Sequence, residues 1–471
     1  MKPAMSALVT GATSPANSSL DGNGLTATLL AGAALLLGAA MQAGNGTLVP
    51  GALALLTWAL LCCGGAVVAW RWHLPLPSWG DRPAVVILGL GLAWQVATLV
   101  SHAPGSYLRM GPGVSPADFG IGLVLASLFI GAVLAHRPWL GALSFLALIG
   151  IHFYLGLWLL RASPEPAIDV FIVHREALNA LLHGHNPYAI DFPNIYSDPT
   201  QFFAEGVVVN GRVQVGYLYP PLSLLWGLPG HLIAGDYRYS NLVAMEGTGL
   251  LLGFTRAGRL AKVAAATLLF TPRIFFILEQ GWTEAQVVFL FALVVYLAAN
   301  RPRVLPYALG ALLFSKQYLV FTLAFSQLLW GRPWVWNVHV RRLCTALAVA
   351  GAIALPFFFW SPRAFLHSVV EFQLKQPFRT DALSYLSEWA ARYGTHLPSW
   401  IGFVAALLAL VFVLRLGHWS PAGFAVGSAL IYGVFFAFNK QAFCNYYYFV
   451  LGTVCCALAA LPVLAPAPDL E

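Results

Sequence analysis

Residues 140–188, LGALSFLALIGIHFYLGLWLLRASPEPAIDVFIVHREALNALLHGHNPY, change character once, at Arg161. Up to Leu160 the run is apolar and long enough to cross a bilayer; beyond it the chain turns polar, and Asp169 opens a segment of helical periodicity. Val170, Val173, Ala177, Leu178 and Leu181 recur at helical spacing opposite His174, Arg175, Glu176 and Asn179, which predicts an amphipathic helix lying along a membrane surface. Gly184 supplies its stop and Asn186-Pro187 a turn. Spans therefore carry the chain, and loops at the membrane boundary carry its polar groups.

The rest of the sequence agrees. Of 471 residues, 59% are hydrophobic and 9% charged, and the mean hydropathy is +0.74, which leaves too little polar surface for a water-soluble domain. The run 25–41 reads as a first membrane helix rather than a signal peptide, because similar runs follow it. Cys62, Cys63, Cys344, Cys444, Cys455 and Cys456 lie nearly all in apolar runs and are expected to act as small hydrophobes, without disulfides or a thiolate metal site. The net charge of +7 fits cytoplasmic loops and implies no nucleic acid.

Spanning runs fall near 25–43, 50–70, 84–103, 117–135, 139–160, 241–255, 263–278, 285–300, 343–360, 400–415, 421–438 and 446–464. Two pieces are too short or interrupted to cross: 219–233, opening at Pro220-Pro221, and 304–330, broken at Ser315-Lys316-Gln317. The positive-inside rule places Arg71, Arg82, His136, Arg137, Arg256, Arg259, Lys262, Arg301, Arg303, Arg332, Arg341, Arg342 and Arg415 in the cytoplasm if 219–233 is re-entrant and 304–330 forms a V with Lys316 at its outer apex. The expectation is an all-α polytopic bundle of about 12–14 membrane segments, short re-entrant helices included, with outer-face loops bearing the surface helix. It divides into a disordered cytoplasmic tail (1–24), N-terminal membrane helices (25–160), an outer loop with the surface helix (161–218), a membrane core (219–360), a second outer loop (361–398) and C-terminal membrane helices (399–471).

Several residues carry candidate chemistry. Asp169 reads either as a helix N-cap or as a carboxylate facing a site, and one residue can do both. Lys316, inside an apolar run, costs roughly 2.5–3.5 kcal/mol to insert unless it meets a partner or a wet cavity. With Arg273, Lys375 and Arg379 it supplies cations where a lipid phosphate would bind. His183 and His185, followed by Asp191, raise a divalent metal, but they lack a third ligand at fixed spacing, and no Asp-x-Asp occurs. Tyr446, Tyr447 and Tyr448 and the tryptophans read mainly as interfacial belt.

Asp169 with its helix, the turn Gly184–Tyr188, the YPP motif at 219–221, the QGWTE turn at 280–284, SKQ at 315–317 and NKQAFCNYYY at 439–448 follow in this order. Over residues 160–460 the chain resembles the polyprenyl-phosphate-mannose-dependent mannosyltransferases of the GT-C superfamily, in the branch of bacterial envelope α-mannosyltransferases. Where that family shows a Gly-Gln-x-Asn turn, Gln280-Gly281-Trp282-Thr283-Glu284 stands here. The resemblance implies transfer of a sugar, mannose in the family, from a polyprenyl-phosphate donor to a glycolipid, glycan or protein acceptor at the outer face of the plasma membrane. It implies no nucleotide and no cofactor, and Asp169 as the base of an inverting displacement. Tyr188, Tyr219, Gln280, Glu284, Lys440 and Tyr446 become the candidate sugar and acceptor contacts. A transporter or a lipid or glycolipid flippase is the competing class, and clustering of the charged candidates on one face argues against it.

Overall fold

A computed structural model describes residues 22–74, 80–135, 138–256, 258–331 and 335–462. Most of the 1–24 tail, with His136, Arg137 and Arg332, lies outside the described residues. The chain begins as long apolar rods: α1 (Gly22–Gly44), α2 (Ala52–Arg71), α3 (Arg82–Ser101), α4 (Pro116–Leu134) and α5 (Pro138–Ala162). The surface helix α6 (Asp169–Leu182) follows. Then come a small sheet, α7 (Pro221–Ala234), α8 (Arg238–Gly253), α9 (Gly258–Phe270), α10 (Pro272–Gln280), α11 (Glu284–Asn300), α12 (Leu305–Leu313) and the short α13 (Thr322–Phe325). The chain closes with α14 (Trp336–Trp360), α15 (Pro362–Leu366), α16 (Phe372–Lys375), α17 (Tyr385–Tyr393), α18 (Trp400–Leu416), α19 (Pro421–Ala437) and α20 (Cys444–Ala460).

The molecule is an all-α multi-pass membrane bundle, with fewer full-length spans than expected. Among the described residues six helices are long and apolar enough to cross a bilayer, seven if α9 and α10, bent by 56°, count as one. Four more, α11, α18, α19 and α20, have 17 residues each, or about 25 Å, at the lower limit for a core of about 30 Å. The bend has a cause the apolar run 263–278 hid. Pro272 cannot donate into the helix, and the Thr271 hydroxyl is held by Gln95 Nε2 at 2.9 Å.

α20 forms the centre, packed by α1, α8, α9, α10, α11 and α19. Its small residues, Gly452, Thr453, Cys455, Cys456 and Ala457, let those helices approach, as packing within lipid requires. At the periphery Leu90, Val124, Leu128, Phe359 and Leu408 are 63–71% exposed, a loss in water that hydrocarbon removes.

The two faces differ in charge. On one, Arg256 donates to Ala299 O at 2.6 Å and its backbone N–H to Ala459 O at 3.2 Å, Arg259 donates to Leu134 O, and Trp70 stacks on His418. On the other lie the 163–220 and 361–399 segments, tied to the α1–α2 connection by Leu48 N–H on Asp381 O at 2.8 Å. Both ends of α7 reach this loop-rich face: Tyr188 Oη donates to Tyr219 O at its start, and Tyr237 Oη to Gly281 O past its end. The break after α12 reaches it too, where Lys316 is extended and Gln317 Nε2 donates to Leu218 O at 2.7 Å.

Two expectations are corrected within the loop layer. His174, assigned to the polar side of α6, is 1% exposed: it lies four residues after Val170, inside the apolar stripe. The segment after α6 also contains strands, β1 (Phe192–Pro193), β2 (Val208–Val209) and β3 (Arg212–Val213), in the order β1-β3-β2. The β2–β3 hairpin turns at Asn210-Gly211, both at positive φ, the residue pair a two-residue hairpin turn favours.

Candidate functional site

Asp169 is the first helical residue of α6; the N-cap itself is extended Ile168. Its carboxylate accepts the Val170 N–H at 2.8 Å, so it satisfies a free amide of the first turn from inside the helix. Part of its surface is open, yet protein surrounds the group densely. Burial pushes its pKa above the ordinary aspartate value, against the opposing effects of the Val170 amide, the Tyr196 hydroxyl and the charge of Arg379.

The segment delivering Asp169 is fixed by Arg238, a fully buried guanidinium. It donates to Ser163 O at 2.8 Å, Pro164 O at 3.2 Å and Glu279 O at 2.9 Å, pairs with Asp236 at 2.6 Å and lies 4.7 Å over the Phe171 ring. Glu279, fully buried, accepts the Ser106 and Tyr107 N–H groups at 2.6 and 2.7 Å. The Tyr107 hydroxyl then donates to Ala167 O, two residues before Asp169. Neither role was read from the sequence. A signal existed: Arg238 follows Asp236 by two residues at the start of an apolar run, where a cation needs a partner.

Tyr219 stands between Asp169 and Lys316. Its backbone is strapped by Tyr188 Oη on its own carbonyl and by Gln317 and Gln373 amides on Leu218 O. Lys316 Nζ lies 4.0 Å from the Tyr219 ring centroid, and the negative charges of Asp169 and Glu284 both reach the Tyr219 hydroxyl, raising its pKa behind burial as the larger cause. Beneath the strap the Tyr217 hydroxyl meets His174 Nε2 at 2.9 Å and Ser223 Oγ at 2.7 Å, and His174 stacks on Tyr237 at 4.2 Å. Burial pushes the His174 pKa down to about 3, so the imidazole is neutral at physiological pH.

The cations expected to meet a phosphate are all engaged. Lys316 Nζ sits 3.0 Å from Glu284 Oε1 and donates to Thr283 Oγ1 at 2.7 Å, a buried pair whose charges cancel. Arg273 donates to Gln42 and Asn45 at 2.7 and 2.6 Å and so anchors the end of α1. Arg379 makes a two-toothed pair with Asp381 at 2.8 and 2.7 Å while packed between the Phe202 and Phe443 rings. Lys375 lies on the exposed rim, 3.7 Å from Glu371, where such a pair contributes little. Lys440 donates to Gln376 O and Leu374 O, joining the 439–443 turn to the second loop.

Among the other sugar-contact candidates, Gln280 is buried with its amide on Glu279, and Tyr446 packs with Tyr318 and Phe436. Asp169, Tyr219, Lys316, Glu284, Arg379 and Tyr446 thus gather in one region, while Arg273, Lys375 and Gln280 are engaged elsewhere, with α1, Glu371 and Glu279. Among the described residues no three His, Cys, Asp or Glu side chains form a ligand set. Comparison of the chain with protein-family models, curated proteins and solved structures finds no match.

Proposed function

We propose that this chain is a membrane glycosyltransferase moving a sugar, mannose by the resemblance, from a polyprenyl-phosphate donor to a glycolipid, glycan or protein acceptor at the loop-rich face. The observation that carries the reading is Asp169: an aspartate in the loop layer, its segment secured by Arg238 and Glu279, with the Tyr219 ring near it and a buried cation on that ring. As base it takes the proton of an acceptor hydroxyl while that oxygen bonds the anomeric carbon. The bond from that carbon to phosphate oxygen breaks, the polyprenyl phosphate leaves with the electron pair, and one displacement inverts the centre. A base of raised pKa suits a proton moved late in the step. Arg379, whose charge reaches Asp169, is the best placed cation for the phosphate, with Lys316 behind it.

Purified protein incubated with polyprenyl-phosphate mannose and glycolipid acceptors is expected to form a mannosylated acceptor, and Asp169→Asn to stay inserted and folded while losing transfer by about 10²–10⁴-fold. Wild-type turnover by Asp169→Asn would remove the base. A second reading, proton-coupled transport, is favoured by one observation: His152 and Glu246 pair at 2.6 Å inside the bundle, where ionisable groups mark relays. Substrate flux in proteoliposomes that survives Asp169→Asn and fails in Glu246→Gln would favour that alternative.

A further inference from the structure

A cleft of about 790 Å³ opens along the C-terminal half of α6, and Asp169 is not part of its lining. Glu176, His183, Asp191, Arg212 and Gln214 offer polar groups around it, and Ala180, Ala189, Ile190 and Ala364 supply apolar surface between them. Its size falls in the range of small-molecule sites, roughly 300–1,000 Å³. Its floor is rigid: Gly216 donates to Ser368 Oγ at 3.2 Å, and a Cβ on Gly216 would lie 2.3 Å from Tyr188 O. Arg212 is held in place by Asp191, through its carboxylate at 2.8 Å and its carbonyl at 3.2 Å.

The lining selects a ligand class. Two carboxylates, Glu176 and Asp191, against the one guanidinium of Arg212 give the cleft no excess of fixed positive charge, which disfavours a phosphate or any polyanion. The same polar rim is unsuited to a hydrocarbon chain. Donors and acceptors flanking apolar patches match a pyranose ring, whose hydroxyls meet planar polar side chains and whose C–H faces meet apolar ones. Tyr188 belongs to both places, lining this cleft while its hydroxyl holds the Tyr219 carbonyl.

We infer that this cleft binds a neutral oligosaccharide, the glycan portion of the acceptor, and feeds its end toward the Tyr219 strap; the acceptor role, though not the binding, rests on the transferase reading. The test uses the full-length protein in nanodiscs and saturation-transfer NMR with neutral manno-, gluco- and galacto-oligosaccharides, and inorganic phosphate as the anionic probe. At least one oligosaccharide is expected to bind, about tenfold more weakly to Asp191→Ala/Gln214→Ala, a loss on the scale of one or two polar contacts, and unchanged to Asp169→Asn. Both replaced side chains lie in the loop layer, and an unchanged melting temperature confirms the fold. No sugar bound, equal binding by the double variant, or preference for phosphate would overturn the inference. Sugar binding by a protein that never transfers would support the cleft and sink the transferase; transfer without cleft binding would do the reverse.

Discussion

At Asp169 two opposing influences meet: burial favours the protonated acid, and the Val170 amide, the Tyr196 hydroxyl and Arg379 favour the carboxylate. Burial is the larger, so the acid limb of kcat/KM should lie above the ordinary aspartate pKa of about 4, with transfer falling as pH drops through it. Arg379→Gln removes a favourable charge and should move that limb further up; an unmoved limb would dissociate Arg379 from Asp169. The stability sign is the reverse of a salt-bridged aspartate. The folded state binds this proton more tightly than the unfolded chain, so stability falls as pH rises from the ordinary aspartate pKa to the raised one and stays lower above it, and Asp169→Asn should melt no lower than wild type at pH 7. Its transfer should nevertheless fall by about 10²–10⁴-fold, the usual worth of a general base. His174 behaves oppositely: its pKa, near 3 when folded, is 6.5 in the reference state, so the unfolded chain takes up the proton first and stability falls as pH drops below about 6.5. His174→Phe keeps an aromatic ring against Tyr237, loses the contact to Tyr217, and should flatten the acid loss of melting temperature; an unchanged acid slope would clear His174 of that role. Asp169 was legible because a carboxylate opening a helical pattern stands out in the sequence. Arg379 as its neighbour was not, since 210 positions separate them and only the folded loops bring them together.

The break between α12 and α13 shows what sequence yields at the scale of an element. An ammonium in an apolar run announces that the helix stops or that a partner waits, and both hold: Lys316 is extended, and Glu284 faces it. The partner was hidden, because it comes from α11 and a carboxylate after QGWT reads equally well as a ligand contact. Likewise α6 and its glycine stop followed from periodicity, whereas the strands around Asn210-Gly211 were passed over despite the turn pair, each being only two residues long. The pairing changes what a Lys316 variant reports. Lys316→Met leaves a buried carboxylate alone and should cost about 3–5 kcal/mol. Adding Glu284→Gln should recover most of that loss in a thermal unfolding series. If Lys316 also serves the donor phosphate, the double variant will be stable yet show a raised KM for the polyprenyl donor; wild-type donor dependence in a well-folded double variant would confine Lys316 to structure.

For the whole molecule the decisive property is sidedness. Arg71, Arg256, Arg259, Arg301 and Arg415 gather at one end of the bundle, and the 163–220 and 361–399 segments with Asp169 gather at the other. Charge bias sets orientation through short loops, so the basic end should face the cytoplasm and Asp169 the opposite side. Composition and run lengths made the polytopic class plain, and the basic loops separated from the acidic ones along the chain. The number of full spans was less legible, since hydropathy counts an apolar run without registering whether Pro272 bends it. Sidedness can be read with thiols, because among the six free cysteines only Cys344 is exposed. In a Cys344→Ser background, Ser197→Cys, exposed in the first loop, should react with a membrane-impermeant maleimide on intact cells. Arg303→Cys, exposed at the basic end, should react only after permeabilisation. The opposite pattern would turn Asp169 toward the cytoplasm, where nucleotide sugars are made, and the case for a lipid-linked donor would lose its physical reason: a sugar carried across the membrane on a polyprenol is needed only on the side that nucleotides do not reach.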